Sequence, residues 1–364
     1  MTIKVRRLDQ KTLVRPADLK PSHPELEVVG VFNPAAIRVN NDVYLLARVA
    51  EAYHIKKDDY FSSPRYIFTE NKIKIEFQEF KIKVDHNGDT RKFIEHENFM
   101  RLAFISHLRL IKLDTTGFEI GDIDQSPTFL PQSEFEEFGV EDPRLTKIGN
   151  RYFFTYVAVG RETGVCTALA STEDFKTFER HGIIFCRENK DVILFPEKIN
   201  GKYIAHHRPV ADHKFTGPNM MSAKSPDLIH WGDHKLLMDL RKGQWDCSRM
   251  GAGTPPIKTE KGWLAIYHGV EQTDPADPVG IYRAGAALFD LEDPTRLIAR
   301  SRDPILAPEQ PCELEGFVCN VVFPTGLVED SDGKTLLVYS GGADSVITVT
   351  RLSKQEVFDS LEYL

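Results

Sequence analysis

The stretch GVEDPRLTKIGNRYFFTYVAV, residues 139–159, decides how this chain reads. Two runs rich in β-branched and aromatic residues flank Gly149-Asn150. Both residues of that pair tolerate positive φ, so the runs fold back on each other as a β-hairpin. Four other segments repeat the design. Residues 35–49 turn at Asn40-Asn41-Asp42, 197–210 at Asn200-Gly201, 256–270 at Lys261-Gly262, and 325–342 at Asp332-Gly333. A proline precedes each hairpin in a similar frame: Asn33-Pro34, Asp142-Pro143, Phe195-Pro196, Thr254-Pro255 and Phe323-Pro324. Outer strand pairs with acidic turns follow at 168–182, 222–234 and 287–300, and 107–120 takes that role for the first hairpin.

About four strands recurring every ~40–60 residues is the signature of a β-propeller. Five repeats predict an all-β, five-bladed β-propeller, a single domain over residues 1–364, with an insertion around 51–105 that is rich in Lys, Asp, Glu and His. An irregular β-sandwich is the competing architecture, because short strands with regular turns suit both. In a propeller the start of each innermost strand faces one central cavity. That places Asn33, Asp142, Phe195, Glu197, Thr254 and Phe323 around a single funnel. Helical periodicity is poor until residues 354–364, which read as a short terminal helix or a closing segment.

Composition narrows the function. The chain has 364 residues, is 41% hydrophobic and 27% charged, and carries a net charge of −8. It is too apolar for a disordered chain, and its acidity disfavours nucleic acid, whose phosphates want a basic face. The five cysteines form no CxxC pair, which points to free thiols in a reducing cytoplasm and not to a disulfide framework or a zinc site. No secretory h-region and no run of the ~18 apolar residues needed to span a membrane is present. Self-association is left open.

The chemistry-bearing residues gather at repeat starts and ends. Glu141 and Asp142 are adjacent carboxylates at the head of an inner strand. Strand alternation lets one of the two face the funnel, and Arg144 shares the Asp142 face and could hold or tune it. Lys190-Asp191 precedes the third hairpin, His206-His207-Arg208 ends it, Arg249 precedes GAGTPP, His268 ends the fourth hairpin and Tyr282-Arg283 opens the next strand. Cations converging inside an acidic protein point to an anion pocket, for which the planar arginine fork is well suited. GAGTPP is no Walker loop, and its glycines read as close backbone approaches. His206 and His207 alternate faces and cannot ligate one metal ion together; no metal is expected. Trp231, Trp245, Trp263, Tyr53 and Tyr60 are candidates for stacking on sugars; packing between blades is the favoured reading for Trp231 and Trp263, and Trp245 is the best placed to line the funnel.

Taken together, VFNPA, GVEDPRLTKIGNRYFFTY, NKDVILFPEKINGKYIAHHRP, GAGTPPIKTEKGWLAIYHGV, YRAGAALFDLEDPTRLIAR, NVVFPTG and GGAD resemble glycoside hydrolase family 130, over nearly the whole chain. The resemblance implies a five-bladed propeller and an inverting phosphorolysis of β-mannosides. Asp142 then looks like the general acid, acting through the 3-hydroxyl of the bound mannose, while inorganic phosphate attacks the opposite face to give α-mannose 1-phosphate. Lys190, Arg208, Arg249, His268 and Tyr282 match phosphate-binding positions. Asn33, Arg48 and Asp344 match positions that hold the mannosyl unit, and Glu141 and Arg144 flank the acid. Arg249 stands where the family often has lysine. The stretch 51–66 departs from the family pattern and is expected to border the site of the leaving sugar. No cofactor is implied beyond phosphate as co-substrate; the other partner is a manno-oligosaccharide or a mannosyl disaccharide.

Two alternatives remain at this stage. An inverting β-mannosidase would need a second carboxylate as base, with Glu141 or Glu197 the candidates. A non-catalytic propeller that binds glycans would need neither. Acid catalysis requires Asp142 to hold a proton, which burial favours and the neighbouring cations oppose.

Overall fold

The computed structural model describes all residues except 1–3, 56, 58, 70–71, 82–91, 95–99, 211–214, 273, 275–276 and 278. Among the described residues the chain is almost entirely strands, with helices of at most six residues, none long and apolar enough to cross a membrane. The strands form one eight-stranded sheet, in which a single parallel bridge joins two antiparallel units of four, together with two four-stranded sheets, one six-stranded sheet and two two-stranded hairpins; after the leading strand β1 (Arg7–Val14), five antiparallel units follow one another along the chain. The first unit is β2 (Leu26–Val39), β3 (Asp42–Tyr53), β8 (Phe104–Leu113) and β9 (Ile120–Ile123). Between β3 and β8 lie two separate hairpins, β4 (Tyr60–Thr69) with β5 (Lys72–Lys81), and β6 (Lys92–Ile94) with β7 (Met100–Leu102). These occupy the predicted insertion, of which 82–91 and 95–99 lie outside the described residues.

The second unit is β10 (Gly139–Ile148), β11 (Arg151–Gly160), β12 (Gly164–Thr172) and β13 (Glu179–Phe185). The third is β14 (Asn189–Leu194), β15 (Tyr203–Pro209), β16 (Met220–Ser225) and β17 (Gly232–Met238). In the fourth, β18 (Arg249–Ala252) and β19 (Ile257–Thr259) share one flank of β20 (Gly262–Glu271), followed by β21 (Ile281–Phe289) and β22 (Leu297–Ser301). The fifth is β23 (Val322–Glu329), β24 (Thr335–Gly342) and β25 (Val346–Ser353), completed by β1 from the other end of the chain. Residues 354–364 hold a short helix, Lys354–Asp359, and then β26 (Leu361–Tyr363), which adds to β22. The two chain ends are thus each tied into a sheet built by distant sequence.

The predicted turns are real and have the expected backbone. Asn40, Gly149, Asn200 and Gly333 all take positive φ. The acidic outer turns have a common cause. In STEDF and KSPDL, the Thr172 and Ser225 hydroxyls accept the N–H of Phe175 and Leu228, and the following backbone N–H groups donate to Asp174 and Asp227. These are side-chain mimics of a backbone turn.

Strand alternation sends one set of apolar residues to each neighbouring unit. Leu46 and Val140 pack between the first and second units, Leu169 and Val192 between the second and third, and Ile193 and Trp263 between the third and fourth. Ile266 and Val338 pack between the fourth and fifth, and Val31 with Leu337 between the fifth and first. Each unit therefore has an apolar layer on both faces, and the last layer joins the end of the sequence to its beginning.

First strands also meet one another. Strand β2 packs on β10, β10 on β14, β14 on β18, and β23 returns to β2. The first strand of the second unit also touches the third strand of the first, at Gly139 against Ser106 in β8, where a side chain at Gly139 would meet the Ser106 carbonyl at 2.4 Å. Gly139 also sits at φ +128, which L side chains avoid. Gly139→Ala is expected to destabilise the fold by about 1–3 kcal/mol through backbone strain alone. Chemical denaturation of the variant measures this.

Candidate active site

The first strands of the first three units share a local irregularity. Pairing slips between Phe32 and Ala35, between Glu141 and Arg144, and between Lys190 and Ile193. At each slip an Asn or Asp takes positive φ: Asn33 (49°), Asp142 (46°) and Asp191 (56°). Short polar side chains are the non-glycine residues that best tolerate this region, and the extra residue of a bulge re-aims its neighbours. Simple alternation therefore fails here. The expectation that either Glu141 or Asp142 faces the cavity is corrected: both do.

The bulges open onto a cavity of about 360 Å³. Asn33, Arg48, Glu141, Asp142, Lys190, Arg208, Arg249, His268, Tyr282 and Asp344 all line it, as does Asp191. Of the predicted site residues, Arg144 is the exception. Its guanidinium lies behind the wall, with Nη1 donating to the Asp142 carbonyl at 2.7 Å and Nε to the Gly253 carbonyl at 3.0 Å. It braces the backbone of Asp142 and does not pair with its carboxylate.

One end of the cavity is organised by Arg48. Its Nη2 donates to Glu141 Oε1 at 2.6 Å, its Nη1 to Asp142 Oδ1 at 3.0 Å, and its Nε to Ser106 Oγ at 3.2 Å. Its guanidinium carbon stands 4.6 Å from the centre of the Phe32 ring, and Asn33 Nδ2 donates to the same Asp142 oxygen at 2.9 Å. The two carboxylates respond in opposite directions. Burial, with the charge of Asp142, pushes Glu141 up, and Arg48 only partly offsets it. Burial also acts on Asp142, but Arg48, Arg144, the Asn33 hydrogen bond and Lys190 outweigh it and hold that carboxyl low. The contest left open by the sequence thus goes to the cations.

The other end is cationic. Arg208 Nε lies 2.8 Å from Asp191 Oδ2, His268 Nε2 3.5 Å from the same oxygen, and Arg144 Nη2 3.4 Å from Oδ1. Arg249 Nη1 donates to Tyr282 Oη at 2.6 Å, and the His268 ring packs between Tyr282 and Phe323. Burial and the surrounding arginines push His268 down to about 3, so its imidazole is neutral at physiological pH. Burial opposes the ionisation of Asp191, yet Arg208, Arg144 and Lys190 hold it down to about 2. Phe32, Phe104, Phe317, Val318 and Phe323 supply the apolar part of the cavity wall, with Phe32 and Phe104 against Arg48 and Phe323 against His268.

Several expectations are corrected. Phe195 is fully buried against Trp263, and Thr254 is buried, accepting the N–H of Ile266; neither reaches the cavity. Glu197 is half exposed and paired with Lys258. Trp245 does not line the cavity: it stacks on Tyr267 at 5.5 Å and donates to the Arg302 carbonyl. Tyr53 packs on Phe77, and Tyr60 is an exposed residue of β4. Other expectations hold: Trp263 and Trp231 are packing residues, and His206 and His207 diverge, to the Pro294 carbonyl and to His234. The residue that the sequence reading passed over is Asp191, which takes the place expected for Phe195.

The chain is similar to proteins of known kind. The glycoside hydrolase family 130 model, described as β-1,4-mannooligosaccharide phosphorylase, matches residues 112–363. A β-1,2-mannobiose phosphorylase of Listeria innocua is 38% identical over 364 residues, covering 98% of each chain. A 1,2-β-oligomannan phosphorylase of a Thermoanaerobacter species is 35% identical over 98% of this chain and 99% of its own. The solved structure of a Listeria innocua β-1,2-mannobiose phosphorylase in complex with β-1,2-mannobiose superposes with a TM-score of 0.85, at 37% identity over 96% of both chains. This chain belongs to glycoside hydrolase family 130.

The electrostatics of the Arg48 end can be tested without substrate. With its folded pKa raised, Glu141 binds its proton more tightly in the native than in the unfolded state. Native stability therefore falls as pH rises from the unfolded value of about 4.3 through the folded one. Glu141→Gln removes that loss, so its melting temperature is expected to gain on the parent as pH rises from 4 to 8. Melting curves across that range check the sign.

Proposed function

We infer that the protein is a β-mannoside phosphorylase, cleaving a β-mannosidic bond with inorganic phosphate and releasing α-mannose 1-phosphate and a shortened sugar. The observation that carries this reading is the division of one cavity into a carboxylate end at Asp142 and a cationic end at Lys190, Arg208 and Arg249. Phosphate is a competent nucleophile near neutral pH, so the protein needs an acid and an anion cradle but no base. Asp142 is the acid; Asn33, Arg48 and Asp344 hold the mannosyl unit.

A hydrolytic inverting route needs a second carboxylate about 6.5–9.5 Å away, across the sugar. Glu197 is outside the cavity, and Glu141 shares the Arg48 fork with the acid and so stands on the acid's side. Asp191 is committed to Arg208 and Arg144. These placements favour phosphate over water, and they give a glycan-binding protein without chemistry no reason to concentrate such charges.

The five four-stranded units, each packed on the next, read as the blades of one five-bladed β-propeller spanning the chain, with β1 completing the last blade. The cavity's position at the bulged first strands fits that architecture. Similarity to enzymes acting on β-1,2-mannobiose and 1,2-β-oligomannan supports a β-1,2 linkage, and the small cavity supports short substrates. Five free cysteines fit a reducing cytoplasm.

Incubation with β-1,2-, β-1,3- and β-1,4-mannobiose, with and without phosphate, is expected to give mannose 1-phosphate only from the β-1,2 sugar with phosphate present. Equal sugar release without phosphate overturns the reading. Asp142→Asn is expected to lower kcat by about 10²–10⁴-fold. Arg208→Ala loses charge-assisted hydrogen bonds and is expected to raise the phosphate KM by about ten- to a hundredfold.

Phosphate also bears on the acid. A bound dianion offsets the cations that hold Asp142 low, so its pKa rises in the ternary complex. At saturating mannoside, the basic limb of kcat is expected at higher pH than that of kcat/KM for phosphate, corrected for the ionisation of free phosphate. Coincident limbs would show that the cationic end does not act on Asp142.

A further inference from the structure

The cationic end is held together by one carboxylate. Asp191 is 2% exposed and has a cationic or imidazole partner in each of three units: Arg144 in β10, Arg208 in β15 and His268 in β20. Its bulge, at φ 56°, turns it inward from β14. Gly251 makes room for it: a Cβ there would stand 2.4 Å from Asp191 Oδ2 and 2.6 Å from His268 Cε1. The glycine of GAGTPP thus serves a carboxylate, not a phosphate loop.

We propose that Asp191 is the positioning residue of the phosphate site, aiming Arg208 and His268 at the incoming oxyanion from behind. The proposal rests on the reading of the cationic end as that site. Its logic is geometric. Arg208 turns its Nε edge to Asp191, 2.8 Å from Oδ2 and without a hydrogen bond between the two atoms, so the ion pair places the guanidinium and leaves the terminal Nη pair as the fork for an oxyanion. His268, kept neutral between Tyr282 and Phe323, lies with Nε2 3.5 Å from the same oxygen, so its place in the wall depends on where that carboxylate stands. Without Asp191, Arg144, Arg208 and Lys190 repel one another and have no common anchor.

A purely electrostatic role and a positioning role predict opposite signs. Removing a negative charge from a cationic pocket strengthens the field on an anion, so a carboxylate that only tempered the charge would, when neutralised, give tighter phosphate binding. A positioning carboxylate, when neutralised, gives weaker binding. Calorimetric titration of the full-length protein with inorganic phosphate separates the two. Asp191→Asn is expected to weaken phosphate binding by at least about tenfold, in the range of a lost hydrogen bond to a charged group. The phosphate KM should rise in proportion, with the mannoside KM moved by less than about twofold.

Gly251→Ala keeps every charge and displaces the Asp191 carboxylate, so it is expected to weaken phosphate binding in the same selective way. It carries the test if Asp191→Asn does not fold. Unchanged or tighter phosphate binding in a folded Asp191→Asn protein, or in Gly251→Ala, overturns the proposal. The parent reading fails differently: Arg208→Ala and Arg249→Ala would then leave phosphate affinity intact. Loss in those two with retention in Asp191→Asn would reject the positioning role alone.

Discussion

The left-handed bulge near the start of a first strand is the constraint on which the site depends. A regular strand presents alternate residues to opposite faces, and a ring of regular strands would bring one side chain in two to its centre. At Asn33, Asp142 and Asp191 the chain adds a residue at positive φ, and adjacent side chains swing to the same side. Glu141 and Asp142 thereby share one arginine, and Lys190 and Asp191 stand side by side in the cavity wall. The Asn and Asp side chains serve twice, as residues that tolerate the conformation and as functional groups.

Burying so much charge is tolerable because it is paired. Arg48 meets two carboxylates, Arg208 meets Asp191, and Arg144 satisfies two backbone carbonyls as well as Asp191. An unpaired charge at this depth would cost several kcal/mol. This resolves the opposition between a net charge of −8 and an anionic substrate. The excess of acidic residues is a property of the whole chain, while field strength in a narrow cavity is set by groups a few ångströms away, where solvent screens little.

Much of the fold is legible because its signals are local. Asn40, Gly149, Asn200 and Gly333 announce their turns by side-chain type, and Asp174 and Asp227 mark the outer pairs. What failed was the frame in the third and fourth units. Phe195-Pro196 imitates Asp142-Pro143, but the first strand of the third unit is NKDVIL, and Asp191 in it corresponds to Asp142. Alignment on the polar bulge residue instead of the proline would have found it. In the fourth unit the Thr254-Pro255 frame falls in the break between β18 and β19, so the cavity receives Arg249 from upstream. Trp245 was misjudged because a tryptophan in a glycine-flanked loop looks exposed; only the tertiary partners Tyr267 and Arg302 reveal it as packing. The strand partner of β25 comes from residues 7–14, a pairing that no local pattern encodes.

A cradle for a dianion is a cluster of like charges, and the carboxylates around it give the cluster its balance. Asp142 and Asp191, both held ionised, stand in for the negative charge that phosphate will bring. Their fates on binding differ because their attachments differ. Asp191 is locked among three partners and has no freedom to take up a proton. Asp142 is held by a shared guanidinium and one amide, and it faces the open cavity. When phosphate supplies the balancing charge, it is Asp142 whose ionisation becomes dispensable. On the proposed assignment of acid and phosphate site, the arrangement links the arrival of the nucleophile to the readiness of the acid, using the same cations for both.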